Sequence, residues 1–184
     1  MRTRVPLIAL VLALPFCVSA AETARTESAG LRFAVSSTWK RVPAPSDMRA
    51  AQYAIPRADG DDNDGELILF FFGEGQGGGV EDNLKRWYGQ FTPSDGRSPE
   101  EAAVLTKRTV NGLKVTTVDL AGTYRPAAMP GAASSGPHPG YRMLGAIVEG
   151  KGGPWFWKAV GPEPTIAAAK SSFDALVLSL EAHR

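Results

Sequence analysis

The sequence predicts an α+β fold in which an antiparallel β-sheet of about six or seven strands is covered by helices, an α/β/α sandwich. Three observations predict it. Leu67 to Phe72 is an apolar run without alternation, so as a strand it buries both faces and needs a cover on each. Two pairs of strand-like segments meet at tight turns, Asn111-Gly112 and Gly150-Lys151-Gly152-Gly153, which makes the sheet largely antiparallel. Two further segments carry the helical period, one just after the apolar run and one at the C-terminal end.

A chain of 184 residues is long enough for one domain with a sizeable core. Residues 1–20 read as a cleaved secretory signal peptide. Arg2 and Arg4 precede the apolar run Val5 to Phe16, which is too short to span a bilayer, and Val18-Ser19-Ala20 offers small residues to a signal peptidase. The expectation is therefore an exported protein, periplasmic or secreted, with no integral membrane segment after cleavage. Cys17 follows Phe16 rather than a small residue, which argues against a lipoprotein. Cleavage after Ala20 removes this single cysteine, so the mature chain relies on its core and not on a disulfide. It also removes two of the 20 basic residues, leaving 18 against 19 acidic ones and a net charge of −1. That balance gives no electrostatic footprint for nucleic acid or an anionic membrane.

In chain order, Ala21 to Ala29 is small and polar without a period and reads as a flexible leader to a single sandwich domain over 30–184. Gly30 to Val35 alternates as a half-buried strand, Trp39 returns to the core, and Met48 to Ile55 is a second strand ended by Pro56. The acidic stretch Asp59 to Asp64 has the alternate spacing of a calcium loop at Asp59, Asp61 and Asn63. Asp64 and Phe70 then replace the required glycine and glutamate, so a solvated hairpin turn is the preferred reading. After the central strand and a glycine turn, Val80, Leu84, Trp87, Tyr88 and Phe91 share one helix face, with Glu81, Asp82, Lys85 and Arg86 opposite. Thr92 to Glu101 reads as a polar loop. Ala102 to Val110 and Leu113 to Tyr124 form a hairpin on a type I′ turn, and Arg125 to Gly140 is a long surface loop. Tyr141 to Glu149 and Trp155 to Gly161 form the second hairpin. A last helix from about Glu163 to Glu181 carries the stripe Ile166, Ala169, Phe173, Leu176 and Leu180.

Few motifs carry chemistry. Gly73 to Gly78 satisfies G-x-G-x-x-G, but an antiparallel hairpin follows the helix and Glu74 would repel a pyrophosphate, so a flexible turn is preferred to a dinucleotide site. A weaker reading has the amides of Gly77 to Val80 receive an anion or a partner carbonyl. No nucleophile elbow occurs, and His138 and His183 fall in a proline-glycine loop and at the C-terminus, where both are expected to be exposed. Neither a catalytic residue, a metal nor a cofactor is expected. In a strand, Trp155 and Trp157 share one face and Phe156 takes the other, which favours core packing over a tryptophan-lined groove. Arg142 is expected to form a surface salt bridge.

The candidate site is the glycine turn with the helix edge it feeds: Gln76, Gly77, Gly78, Asn83, Arg86 and Gln90. Five glycines between Gly73 and Gly79 are entropically costly for a mere reversal, which suggests that something approaches the backbone closely. On a continuous helix Asn83 and Gln90 lie about 20° apart and roughly 10 Å along the axis. One extended ligand segment would bridge them; so would the Thr92 to Glu101 or Arg125 to Gly140 loop folding back.

Two segments bear a family likeness. Gly30, Phe33, Val35 and Trp39 resemble the G-x-x-F-x-x-P-x-x-W start of the sandwich family that includes the photosystem II extrinsic protein PsbP and the Ran-binding Mog proteins, with Ser36 where proline is usual. Phe173 to Leu180 resembles that family's closing helix. The stretch Gly75-Gln76-Gly77-Gly78, Val80, Asn83, Arg86-Trp87, Gln90-Phe91 is similar to one in exported bacterial proteins with no assigned activity. The resemblance implies a PsbP/Mog-like sandwich acting as a non-enzymatic binding or assembly module on an unnamed protein or small molecule. A monomer is expected. The alternative function is an envelope hydrolase acting on a small ester, peptide or polymer.

Overall fold

The computed structural model describes residues 23–127 and 136–183. The signal-peptide reading of residues 1–20, Cys17 and the middle of the Arg125 to Gly140 loop lie outside the described residues.

Two sheets form. The smaller joins β1 (Thr23–Ser28), β2 (Leu31–Ser36) and β11 (Glu181–Ala182) in the order β1-β2-β11. The main sheet has eight strands: β3 (Lys40–Arg41), β4 (Arg49–Ile55), β5 (Gly65–Phe70), β6 (Phe91–Thr92), β7 (Val104–Val110), β8 (Leu113–Tyr124), β9 (His138–Glu149) and β10 (Trp155–Pro162). Their order is β3-β4-β5-β10-β9-β8-β6, with β7 also pairing β8, and every pairing is antiparallel. Since β3 and β6 have two residues each, six strands carry the sheet. Among the described residues there are three helices: α1 (Val80–Tyr88), α2 (Pro99–Ala102) and α3 (Glu163–Leu178). Among the described residues no helix is long and apolar enough to cross a membrane.

The strand period decides the layers. Along β10, Trp155, Trp157 and Ala159 point into the core shared with β2 and α3, while Phe156 and Val160 point into a second core under α1. β5 lies in the middle of the sheet and buries Leu67, Ile68 and Leu69, so the expected cover on both faces is present. Trp155 and Trp157 are core residues, as preferred; Phe33 meets Trp157 edge to face at 4.7 Å. The Asn111-Gly112 turn has φ of 48° and 83°, the two positive values a type I′ turn requires. Arg142 and Asp119 make the expected salt bridge in fork geometry, at 2.8 Å and 2.7 Å.

Several expectations are corrected. The flexible leader assigned to 21–29 is a strand over its described part, because Thr23 to Ser28 pairs in register with Leu31 to Ser36. Its low hydrophobicity reflects an edge position, not disorder: most of β1 is exposed. The polar loop Thr92 to Glu101 contains α2, started by a capping box between Ser98 and Glu101 with Pro99 in the first turn. Helix α1 stops at Tyr88, so Phe91 reaches the core from β6 instead. Helix α3 ends at Leu178, and the chain returns as β11. His138 belongs to β9, is half-buried, and packs on Tyr141 at 4.9 Å.

The acidic turn is held for a structural reason. Helix α3 begins at Pro162 without a side-chain cap of its own, and Asp61 supplies one from across the fold, its Oδ2 accepting from Thr165 N at 3.0 Å and Thr165 Oγ1 at 2.5 Å. Asp64 accepts from Arg57 N at 3.1 Å and closes the turn. Among the described residues no cluster of three metal-ligating side chains occurs.

Candidate functional site

The glycine turn is shaped by the protein's own aromatic rings. Gly77 has φ of 93°, and a Cβ there would lie 2.6 Å from Phe156 and 2.7 Å from Phe72. The close approach inferred from the glycine content is therefore internal. The turn is also tied to the β9–β10 turn: Gly75 N donates to Gly153 O at 2.7 Å, and Gly152 N donates to Glu74 Oε1 at 3.2 Å. Glu74 is thus a brace of this turn.

Asn83, buried to 2 % exposure, anchors the turn to α1. Its Nδ2 donates to Gly77 O at 3.0 Å and Gly79 O at 2.9 Å, while its Oδ1 accepts from Arg86 Nη1 at 2.9 Å. Among the described residues the glycine turn and Arg86 satisfy this amide, and neither of the two distant loops does. Asn83→Ala is expected to lower stability by about 1–3 kcal/mol, the cost of losing the three hydrogen bonds of a buried side-chain amide, and to raise hydrogen exchange selectively at Gly77 to Val80. Uniform exchange across the chain would refute the anchoring role.

Beyond α1 the chain turns, and Gln90 is not on the helix, so the axial spacing argument for Asn83 and Gln90 does not apply. Both nevertheless line one cleft of about 130 Å³, together with Arg86, Trp87, Phe70, Phe72, Phe156 and Lys158. Gln76, Gly77 and Gly78 are not among its lining residues.

Lys158 is the residue that sequence reasoning missed. It lies on β10 between Phe156 and Val160, on the α1 face, and is only 6 % exposed. Helix α1 leaves room for it because Trp87 packs over Gly145, the cross-strand partner of Lys158. The ammonium donates to Gln90 Oε1 at 2.5 Å and Tyr124 Oη at 3.1 Å, and sits 4.7 Å from the Tyr124 ring centre. Among the described residues no carboxylate is within salt-bridge reach of it. Burial lowers its pKa to about 7; Glu66 opposes that shift and Arg49 adds to it. Glu66 is itself engaged by Arg49 at 2.7 Å and Gln52 at 2.5 Å. Tyr124, pushed up to about 12 chiefly by burial, remains a neutral phenol. The available signal was one lysine inside the apolar run Trp155 to Val160.

The walls are aromatic. Phe70 and Phe72 stack at 6.3 Å with planes 4° apart, and Phe72 meets Phe156 at 5.9 Å. Phe72 is 39 % exposed, so apolar surface faces solvent beside two cations. A larger groove of about 790 Å³ lies at the end of the sheet, lined by Glu74, Asn111, Lys151 and His183 among others. Its charged side chains are exposed and mixed in sign, so the smaller cleft is the stronger candidate. Among the described residues the cleft offers two cations, two amides and aromatic rings.

No family model matches the chain, and no curated protein matches it. Among solved structures the chain is similar to the solution structure of cyanobacterial PsbP from Synechocystis sp. PCC 6803, with a TM-score of 0.50 and 16 % identity over 94 % of this chain and 99 % of that one. At that identity the likeness shows the fold alone: the architecture is PsbP-like.

Proposed function

We propose that this protein is an exported, non-enzymatic binding or assembly module whose binding site is the cleft between α1 and β10, with Arg86 and Gln90 at the rim and Asn83 and Lys158 buried at the base. The observation that carries the reading is the buried Lys158 ammonium, held by neutral oxygens in a cleft that opens beside exposed Phe72. Burying a charge without a counterion is costly, and structural needs alone would be met by an apolar residue there. Gln76, Gly77 and Gly78 shape the site from behind. The PsbP-like fold is in keeping with a binding role, and the composition of residues 1–20 supports export.

The test is made in the native compartment. A photo-crosslinking side chain in place of Arg86 should capture one stoichiometric species, and the mature chain should have a mass that begins at Ala21. Turnover on a panel of esters and peptides that vanishes on Lys158→Met would overturn the module reading in favour of a hydrolase.

A further inference from the structure

The following rests on the cleft being a binding site and concerns what it binds. We propose that the cleft takes a carboxylate carried on one small apolar body, a single ring or a short branched chain, with the carboxylate on Lys158 and Arg86 and the apolar body against Phe70, Phe72 and Phe156.

Charge, donor count and volume argue for this chemistry together. An ammonium has three donors, and Lys158 spends two on Gln90 Oε1 and Tyr124 Oη. One N–H is left for a ligand. Arg86 spends Nη1 on Asn83 Oδ1, which leaves the other side of its guanidinium for a carboxylate. Neither cation has a carboxylate partner among the described residues, whereas Arg49, Arg97, Arg142 and Lys170 all do. The charge missing from the cleft is negative. Glu66 does not supply it: its Oε1 is held by Arg49 and Gln52, and among the described residues its salt bridge is to Arg49 and not to Lys158 or Arg86.

The volume limits the rest of the ligand. A cavity of about 150 Å³ holds one benzene ring, and this cleft measures about 130 Å³. Phe70 and Phe72, stacked with planes 4° apart, and Phe156 give the cleft an aromatic lining suited to a ring or a branched chain. Inorganic phosphate fits less well, since a dianion with no apolar body would leave those rings facing water. A free small carboxylic acid and the C-terminal residue of a peptide share the required chemistry.

Calorimetric titration at pH 6.5 with 3-phenylpropanoate tests the proposal, with 3-phenylpropanamide as its neutral counterpart. The acid should bind saturably, and the amide should bind about tenfold more weakly or worse, as expected for loss of a charge-assisted contact. Lys158→Met and Arg86→Ala should each weaken the acid by about tenfold. Arg86 is exposed, so its variant keeps the test valid even where the Lys158 variant misfolds. A tetrapeptide ending in Phe, with free or amidated terminus, separates the sources. Tighter binding of the free-acid peptide than of 3-phenylpropanoate assigns the site to a chain terminus, and weaker binding assigns it to a small acid. Equal binding of acid and amide, no saturation at millimolar acid, or unchanged affinity in both variants overturns the proposal. If crosslinking at position 86 still captures one partner in that case, the ligand chemistry is wrong and the binding site stands. Failure of both removes the site.

Discussion

Phe173→Ala is expected to destabilise the protein by roughly 3–5 kcal/mol, the range for deleting a buried aromatic ring. Phe173 is 2 % exposed on α3, in the stripe of Ile166, Ala169, Leu176 and Val177 that closes one core over the main sheet. Helix α3 is the sole helix on that face among the described residues, and it packs on β2, β9 and β10. Deleting the ring from a close-packed core adds a cavity cost to the lost burial. Chemical denaturation reads the effect as a lower midpoint with an unchanged slope. His138→Ala is the useful comparison. Its ring packs on Tyr141 at 4.9 Å from a half-buried position, so a loss of about 0.5–1 kcal/mol is expected, more than an exposed loop histidine would give. Equal midpoints for the two variants would refute the assignment of α3 as the main cover of that core.

Lys158→Met should change the pH dependence of stability more than any surface substitution. In the unfolded chain the lysine titrates near 10.5, and in the fold near about 7. Between those values the unfolded state binds a proton that the folded state does not, so wild-type stability rises with pH across this window. The penalty is complete below pH 7 and is gone above pH 10.5. At about 1.4 kcal/mol per pH unit, the gap between variant and wild type should shift by on the order of 3–4 kcal/mol from pH 7 to pH 10 in favour of the wild type. Methionine also removes the partner of Gln90 Oε1 and Tyr124 Oη, which moves the gap by a constant and leaves its slope intact. Other titrating groups are common to both proteins and cancel. Urea unfolding of both at four pH values makes the comparison; a gap that stays level would mean that Lys158 is solvated and charged in the fold.

Features that depend on neighbours in the chain were readable from it. The Asn111-Gly112 turn demands positive φ, the unbroken Leu67 to Leu69 run demands cover on both faces, and the α3 stripe demands one apolar partner surface; each is met. The capping box at Ser98 and Glu101 is equally local, an S-x-x-E with proline in the first turn, and it starts a helix inside a stretch whose polarity reads as a loop. β1 and β11 were not legible. Both are short, polar and exposed, and they are strands because β2 offers its edges to them.

The candidate site divides along the same line. The glycine turn and α1 mark Asn83 and Arg86 locally, and the hydrogen bonds that join them to each other and to Gly77 and Gly79 are local as well. Other contacts of the candidate site lie far along the chain. Gly77 is constrained by Phe156 in β10, and Gln90 is held by Lys158, 68 residues away. Asp61 caps a helix 104 residues later. Strand period alone puts Lys158 on the same face as Phe156 and Val160, but does not show that Gln90 and Tyr124 receive its ammonium or that Glu66 is paired with Arg49. By itself the sequence determined the hairpins, the two-faced central strand and the closing helix, because dihedral preference and burial period act within a few residues. Only the tertiary structure decided the second sheet, the internal packing of the glycine turn and the isolated ammonium, because register and cross-sheet contact join residues that no local pattern relates.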